Sequence, residues 1–367
     1  MLSKYFPPYY QGGIETYVYD LVQQLEKWAD IHVIASHVRN EGLYEAIPGS
    51  SKLTLLPRIA VSASMPICPA IFSVLKNIHA DLIHIQSPNP FFEAALLKSK
   101  TRTPIIVTHH SDVIRQWWAK PLYYPMYRKF LDLTGRIIAT SENYARHSDT
   151  IRSYMDKVRI VPLGISTDLC NNMLCGSTPF TLRPELLQQG YVLGVGRLVH
   201  YKGFEYLIRA AKYHSLHTVI VGKGPKKEKL LRVASKEGLN SRITFLEGVD
   251  KTELHRLYHH CRVFVLASVT KNEAYGLVQL EAMIHGRPVI SCDIKGSGIT
   301  SVNQDGESGI VVPPQDSKAI GLAIALLLDN ASLREQLGRQ ARERVLRLFS
   351  NIKAVSQVWN VYQEMLR

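Results

Sequence analysis

One pattern constrains this chain more than any other. Short β-branched runs alternate with amphipathic helical stretches, and the alternation occurs twice. In the first half the runs are Ile31–Ser36, Lys52–Pro57, Asp81–Gln86, Pro104–His109, Arg136–Ser141 and Val158–Pro162. Helical patterns at Glu15–Trp28, Phe91–Lys98, Pro121–Leu133 and Glu142–Tyr154 lie between most of them. Alternation of this kind closes into a parallel sheet covered by helices on both faces, so the fold class is α/β.

Residues 163–188 break the pattern. They are turn-rich, carry neither period, and read as a linker. Strand patterns resume at Tyr191–Val195, Thr218–Val221, Ile243–Leu246, Val263–Leu266 and Pro288–Cys292. Helical patterns follow at Phe204–Tyr213, Lys226–Glu237, Lys251–His259, Leu277–His285, Asp316–Leu328 and Ser332–Phe349, and a last one near Ile352–Leu366. A chain of 367 residues is long enough for two such sheets, each with its own core. The expected division is a domain at 1–165, a linker at 166–188, a second domain at 189–350 and a closing helix at 351–367.

Composition narrows the partners. No window holds 18 consecutive apolar residues, and the N-terminus has no apolar core of signal-peptide length, so a cytosolic location is expected. Five scattered cysteines suit reduced thiols. The net charge of +13 fits a phosphorylated small molecule or an anionic lipid surface. Without a run of five or six like charges, a nucleic-acid partner is not expected.

Four constellations carry chemistry. Gly12 and Gly13 precede a helical pattern, where backbone N–H groups can approach an anion; a plain strand-to-helix turn explains them about as well. Arg197 and Lys202 follow the strand Tyr191–Val195, within Gly194-Val195-Gly196-Arg197-Leu198 and Lys202-Gly203. A planar fork and a compact point charge there can converge on one polyanion, although two solvated cations beside a turn are the blander possibility. Gly222-Lys223-Gly224-Pro225 is a third glycine turn and weak by itself. The fourth is Glu273-Ala274-Tyr275-Gly276-Leu277-Val278-Gln279-Leu280-Glu281. Free amides of Gly276, Leu277 and Val278 at a helix start suit an anion. Otherwise Glu273 is an ordinary first-turn carboxylate and Glu281 an exposed one.

Together, in this order, the four resemble the retaining glycosyltransferases of family 4, which have the GT-B fold of two Rossmann-like domains facing a cleft. The resemblance runs nearly the whole length and is strongest from Tyr191 to Pro314. It implies that Arg197 and Lys202 grip the donor diphosphate and that Gly12 and Gly13 close over it. By the same resemblance Glu281 meets the donor ribose, Glu273 meets the transferred sugar, and Ala274, Tyr275, Gly276 and Leu277 offer amides to sugar hydroxyls and phosphate. His110 matches a histidine near the reacting sugar, whereas His109 occupies the alternate face. The loop at Gly248-Val249 is expected to border the base. A closing helix that returns to the first domain is also implied.

The implied activity is retaining transfer from a nucleotide-diphospho-sugar, GDP-mannose first, to a glycan or lipid-linked saccharide in surface-polysaccharide synthesis. A UDP-sugar enzyme and a catalytically idle nucleotide-sugar-binding protein are the alternatives. The sequence has no Asp-x-Asp, so a metal-independent enzyme without cofactor is expected.

Two departures from the family pattern stand out. Only Met1–Phe6 precedes the Pro-Pro segment, so the first, central strand is expected to be short or missing. Tyr275 replaces the usual Phe. Two further clusters have competing readings. His255, His259, His260 and Cys261 have zinc-like spacing but read as a surface helix. Trp117–Lys129 interleaves aromatics with cations, either as helix core with snorkelling cations or as a patch for an anionic membrane surface.

Overall fold

The computed structural model describes all residues except 8–12, 38–43, 46–50, 63–64, 113–117, 119 and 167–181. The described chain forms two compact units, Met1–Gly164 with Asn351–Arg367, and Ile165–Ser350. Most of the expected linker, together with Gly12, Trp117, Cys170 and Cys175, lies outside the described residues.

In the first unit β1 (His32–Ser36), β2 (Tyr44–Glu45) and β3 (Lys52–Leu56) form one ladder, in the order β1-β3-β2. A short hairpin, β4 (Ala60–Ser62) and β5 (Met65–Ile67), follows. Then β6 (Ile83–Ser87), β7 (Ile105–His109), β8 (Arg136–Ala139) and β9 (Val158–Ile160) run parallel in sequence order. The first residues join the two ladders. Leu2 bridges Ile34 of β1 and Ile85 of β6, both in parallel sense. Leu2 N donates to His84 O at 2.8 Å, Gln86 N donates to Leu2 O at 2.9 Å, and Ser36 N donates to Lys4 O at 3.1 Å. Met1–Lys4 thus does the work of the central strand. Few residues suffice because partners on both sides satisfy them and Leu2 is buried between them.

The closing helix Asn351–Leu366 buries Ala354, Val355, Val358, Val361 and Tyr362 in this unit. Its Glu364 accepts from Arg136 and Arg159 at the edge of β8 and β9. The helix Lys120–Leu133 buries Tyr123, Tyr127, Phe130 and Leu131, one stripe at helical spacing. The single helix expected over Glu142–Tyr154 is two pieces, Glu142–His147 and a 3-10 turn at Arg152–Tyr154. Ser148 separates them in extended conformation, its hydroxyl donating to Asp112.

The second unit has one six-stranded parallel sheet. Its strands are β10 (Val192–Val195), β11 (Thr218–Val221), β12 (Ile243–Leu246), β13 (Val263–Leu266), β14 (Val289–Cys292) and β15 (Gly309–Val312), ordered β12-β11-β10-β13-β14-β15. Every residue of β10, β11, β13 and β14 is buried, as a sheet covered on both faces requires. The order reverses between β10 and β13, and ligands in such sheets bind beyond the carboxyl ends at that point. The edge strand β15 is absent from the sequence expectation, because its Gly309 start reads as turn. A side chain at Gly309 would collide with Val289 O.

Candidate active site

The loops that follow β10 and β13 meet at the switch point. After β10 the chain makes a 3-10 turn at His200–Lys202, then Gly203 takes φ +64° and a helix begins at Phe204. A Cβ on Gly203 would sit 2.0 Å from Ala267 O, so only glycine lets these two loops touch. Val269 N donates to Tyr201 O at 2.8 Å across the same contact.

This approach brings Lys202 to Glu273. The Lys202 ammonium is ion-paired with Glu273 Oε2, and both side chains are only 10% exposed. Ser268 Oγ donates to the same carboxylate oxygen at 2.9 Å. Burial works against the Lys202 charge, but Glu273 and the Tyr201 hydroxyl outweigh it and push the ammonium pKa up. Arg197 is different. Its guanidinium is exposed and makes no hydrogen bond or ion pair among the described residues. Arg197 and Lys202 are therefore not held together in a pair; both lie near Tyr201 and act electrostatically on its hydroxyl.

Glu273 also starts the loop into the helix Leu277–Ile284. Gly276, at φ +76°, caps that helix without a side-chain hydrogen bond. The first N–H groups of a helix have no intrahelical acceptor, so the Leu277 and Val278 amides are left without a partner from the helix itself or from a capping side chain. The loop's carbonyls are tied down elsewhere: Gly298 N donates to Ala274 O at 2.7 Å and Gln279 Nε2 to Tyr275 O at 3.1 Å. Tyr275 is buried. Glu281, inside the helix and half-buried, accepts from Tyr258 OH at 2.7 Å. Burial raises its pKa, against the pull of Tyr258, Lys251 and Lys202. Val249 is half-buried between β12 and the helix Lys251–His260, whose N-cap Asp250 accepts from Glu253 N.

In the first unit, His110 directly follows β7 and is buried. Its Nε2 lies 2.7 Å from Gln86 Oε1, and burial with the neighbouring His109 brings its pKa down to about 3, so the ring is neutral. His109 turns to the opposite face. Its Nδ1 meets Tyr127 OH at 2.8 Å and its Nε2 lies 3.3 Å from Asp112 Oδ1. Gly13 is the first residue of the helix Gly13–Leu25.

Of the two side clusters, the histidine one differs from expectation. The helix Lys251–His260 is not simply a surface helix: His255 is buried, and its Nδ1 meets His285 Nε2 at 2.9 Å. No described group of three or more His, Cys, Asp or Glu is arranged to hold a metal ion. In the aromatic-cationic segment Tyr123 and Tyr127 are core, whereas Trp118 and Leu122 are 63% and 85% exposed. Sequence reasoning missed Ser268, Tyr258 and His285; an apolar-looking helix face carrying Tyr and His is the only signal that could have flagged the last two.

Comparison with known proteins extends these observations. The "Glycosyl transferases group 1" profile matches residues 183–344 and "Glycosyltransferase Family 4" matches residues 11–169. The O-antigen chain mannosyltransferase C of Escherichia coli is 30% identical, over 99% of this chain and 96% of that protein. The D-rhamnosyltransferase WbpZ of Pseudomonas aeruginosa is 31% identical, over 92% of this chain and 88% of its own length. Among solved structures, a sucrose-phosphate synthase from Thermosynechococcus elongatus has a TM-score of 0.75 at 20% identity, covering 96% of this chain and 93% of its own. Anabaena HepE, solved in complex with UDP, has a TM-score of 0.75 at 17% identity, covering 99% of this chain and 98% of its own.

Proposed function

The chain belongs to the glycosyltransferases of family 4 and has their GT-B fold, and from that premise we propose that it transfers mannose from GDP-mannose, with retention, to a saccharide or lipid-linked saccharide of a surface polysaccharide. The single observation that carries the reading is the gathering of Lys202, Glu273 and Glu281 with an uncapped helix start at the switch point of the second sheet. The relatives named for mannosyl and rhamnosyl transfer favour this sugar class. HepE, bound to UDP, supports a UDP-sugar as the second reading.

The division of labour follows from charge. As the glycosidic bond breaks, negative charge accumulates on the leaving diphosphate. Lys202, Arg197 and the amides of Gly276, Leu277 and Val278 stabilise it from preset positions. Glu273 faces the sugar as its anomeric carbon becomes oxocarbenium-like, and Glu281 takes the ribose hydroxyls. Tyr275 and Ala274 line the sugar side and Val249 borders the base; by the family resemblance Gly12 and Gly13 are assigned to the donor phosphates. His110 serves the reacting sugar as a neutral ring. No carboxylate becomes a covalent nucleophile in this scheme: the acceptor attacks from the face the diphosphate leaves, and the diphosphate takes its proton. Neither a metal ion nor another cofactor is assigned a part.

The enzyme is proposed to work at the cytoplasmic face of a membrane, with Trp118, Leu122, Lys120, Arg128 and Lys129 contacting anionic lipid. No described helix is long and apolar enough to cross a membrane. A thermal-shift plate of GDP, UDP, ADP and dTDP tests the donor. Stabilisation by GDP is expected; stabilisation by UDP alone would replace GDP-mannose with a UDP-sugar.

A further inference from the structure

One face of the paired strands β6 and β7 carries four buried polar side chains outside the donor site. Residues two apart on a strand share a face. His84 and Gln86 lie together on β6, beside Thr108 of β7 and His110 just beyond it. Gln86 pairs with Thr108 in register. The closing helix supplies the fifth member, Tyr362.

Their hydrogen bonds form a directional chain. His110 Nε2–H donates to Gln86 Oε1 at 2.7 Å. The Gln86 amide nitrogen donates to His84 Nε2 at 3.3 Å, and Thr108 Oγ1 lies 2.7 Å from the same ring nitrogen. His84 Nε2 must then carry a lone pair, so its proton is on Nδ1, which donates to Tyr362 OH at 2.6 Å. Both rings are neutral, since burial brings each to a pKa of about 3. A second arrangement also keeps every link of the chain. It flips the Gln86 amide, moves the His84 proton to Nε2, and puts the His110 proton on Nδ1. The two arrangements present opposite hydrogen-bonding character at His110, whose Nδ1 makes no hydrogen bond to a described residue.

We propose that Tyr362 and His84, acting through Gln86, are positioning residues that hold His110 in its Nε2–H form and leave the Nδ1 lone pair to accept from a substrate hydroxyl. The inference rests on the reading that His110 serves the reacting sugar. It also gives the closing helix a part in the reaction, through a hydroxyl that touches neither His110 nor substrate. General base and orienting roles of histidine depend on which nitrogen bears the proton.

The test is tautomer assignment by nitrogen-15 NMR of histidine-labelled protein, with His110→Gln identifying the resonance. Wild type should show His110 protonated on Nε2. Tyr362→Phe removes only a hydroxyl, strands the His84 Nδ1 proton, and should switch His110 to the Nδ1–H form. Gln86→Leu, which cuts the chain next to His110, should give a mixture of both forms. In each variant kcat should fall on the order of tenfold, the lower end for loss of an orienting partner, with donor KM changed less than about twofold. His110 remaining Nε2–H in Tyr362→Phe and Gln86→Leu alike would overturn the proposal. Wild-type turnover by His110→Gln would instead overturn the placement of His110 at the reacting sugar, and it would do so with the tautomers of the wild-type chain unchanged.

Discussion

Lys202 and Glu273 are each other's counter-ion, in a contact that excludes nearly all water from both side chains. In the donor site proposed above, a bound diphosphate would draw the Lys202 ammonium partly away from Glu273 and free the carboxylate to meet sugar hydroxyls. On that proposal the pair keeps both binding groups satisfied in the donor-free protein.

Lys202→Ala and Arg197→Ala separate the two cations by their different surroundings. Each should lower kcat/KM for donor by roughly 10- to 150-fold, the equivalent of about 1.5–3 kcal/mol for a charge-assisted contact. Only Lys202→Ala leaves a buried carboxylate without its partner, so it should also lose about 3 kcal/mol of unfolding free energy. Arg197 is exposed, and its loss should stay within about 0.5 kcal/mol. Donor kinetics and urea unfolding of both variants check the contrast.

Glu281→Ala should raise donor KM more than it lowers kcat, because ribose contacts are similar in ground and transition states. Tyr258 donates to Glu281 and touches nothing assigned to substrate. Tyr258→Phe should therefore shift donor KM in the same direction by less. A kcat collapse in Glu281→Ala would move this carboxylate to the reacting centre.

Much of this arrangement was legible in the sequence, and what was not has a common cause. The strands, their order of appearance and the glycine-marked loops were readable because buried parallel strands are continuous apolar runs with turns at their ends. The Lys202–Glu273 pair, the Tyr258–Glu281 bond and the Gln86–His110 and His84–Tyr362 bonds join residues far apart in sequence, and spacing carries no trace of them. His255 looked exposed because its neighbours Arg256 and Glu253 are charged, yet its ring turns inward to His285. The central strand was hard to see because Met1–Lys4 is too short to show alternation, and both its partners come from elsewhere.

A buried carboxyl supplies a pH signature. Burial raises Glu93 from 4.5 to about 7, against hydrogen bonds from Asn89 N, Ser87 Oγ and Tyr123 OH. The folded state thus binds this proton more tightly than the unfolded chain. The stabilisation is full below pH 4.5 and is lost as pH rises through about 7. Relative to Glu93→Gln, wild type should lose stability across that window; urea midpoints of the two proteins at pH 5, 6, 7 and 8, or about those values, read the difference.

The membrane reading predicts salt-sensitive binding to anionic vesicles, since exposed charges are screened within about 8 Å at physiological ionic strength. Replacing Lys120, Arg128 and Lys129 by Ser should release the protein while leaving donor hydrolysis unchanged. Lys120 is already shared with Asp149 at 3.3 Å, so Trp118→Ser with Leu122→Ser should release it further. Wild type that does not co-sediment at low salt would return the segment to plain helix surface and favour a soluble acceptor.

The most direct test of the account is nucleotide release from GDP-mannose without acceptor, followed for wild type, Arg197→Ala and Lys202→Ala. Slow release of GDP and free mannose by wild type, with kcat/KM reduced at least about tenfold in each variant, is the predicted result. Wild-type kcat/KM in both variants would contradict the donor site described at the carboxyl ends of β10 and β13.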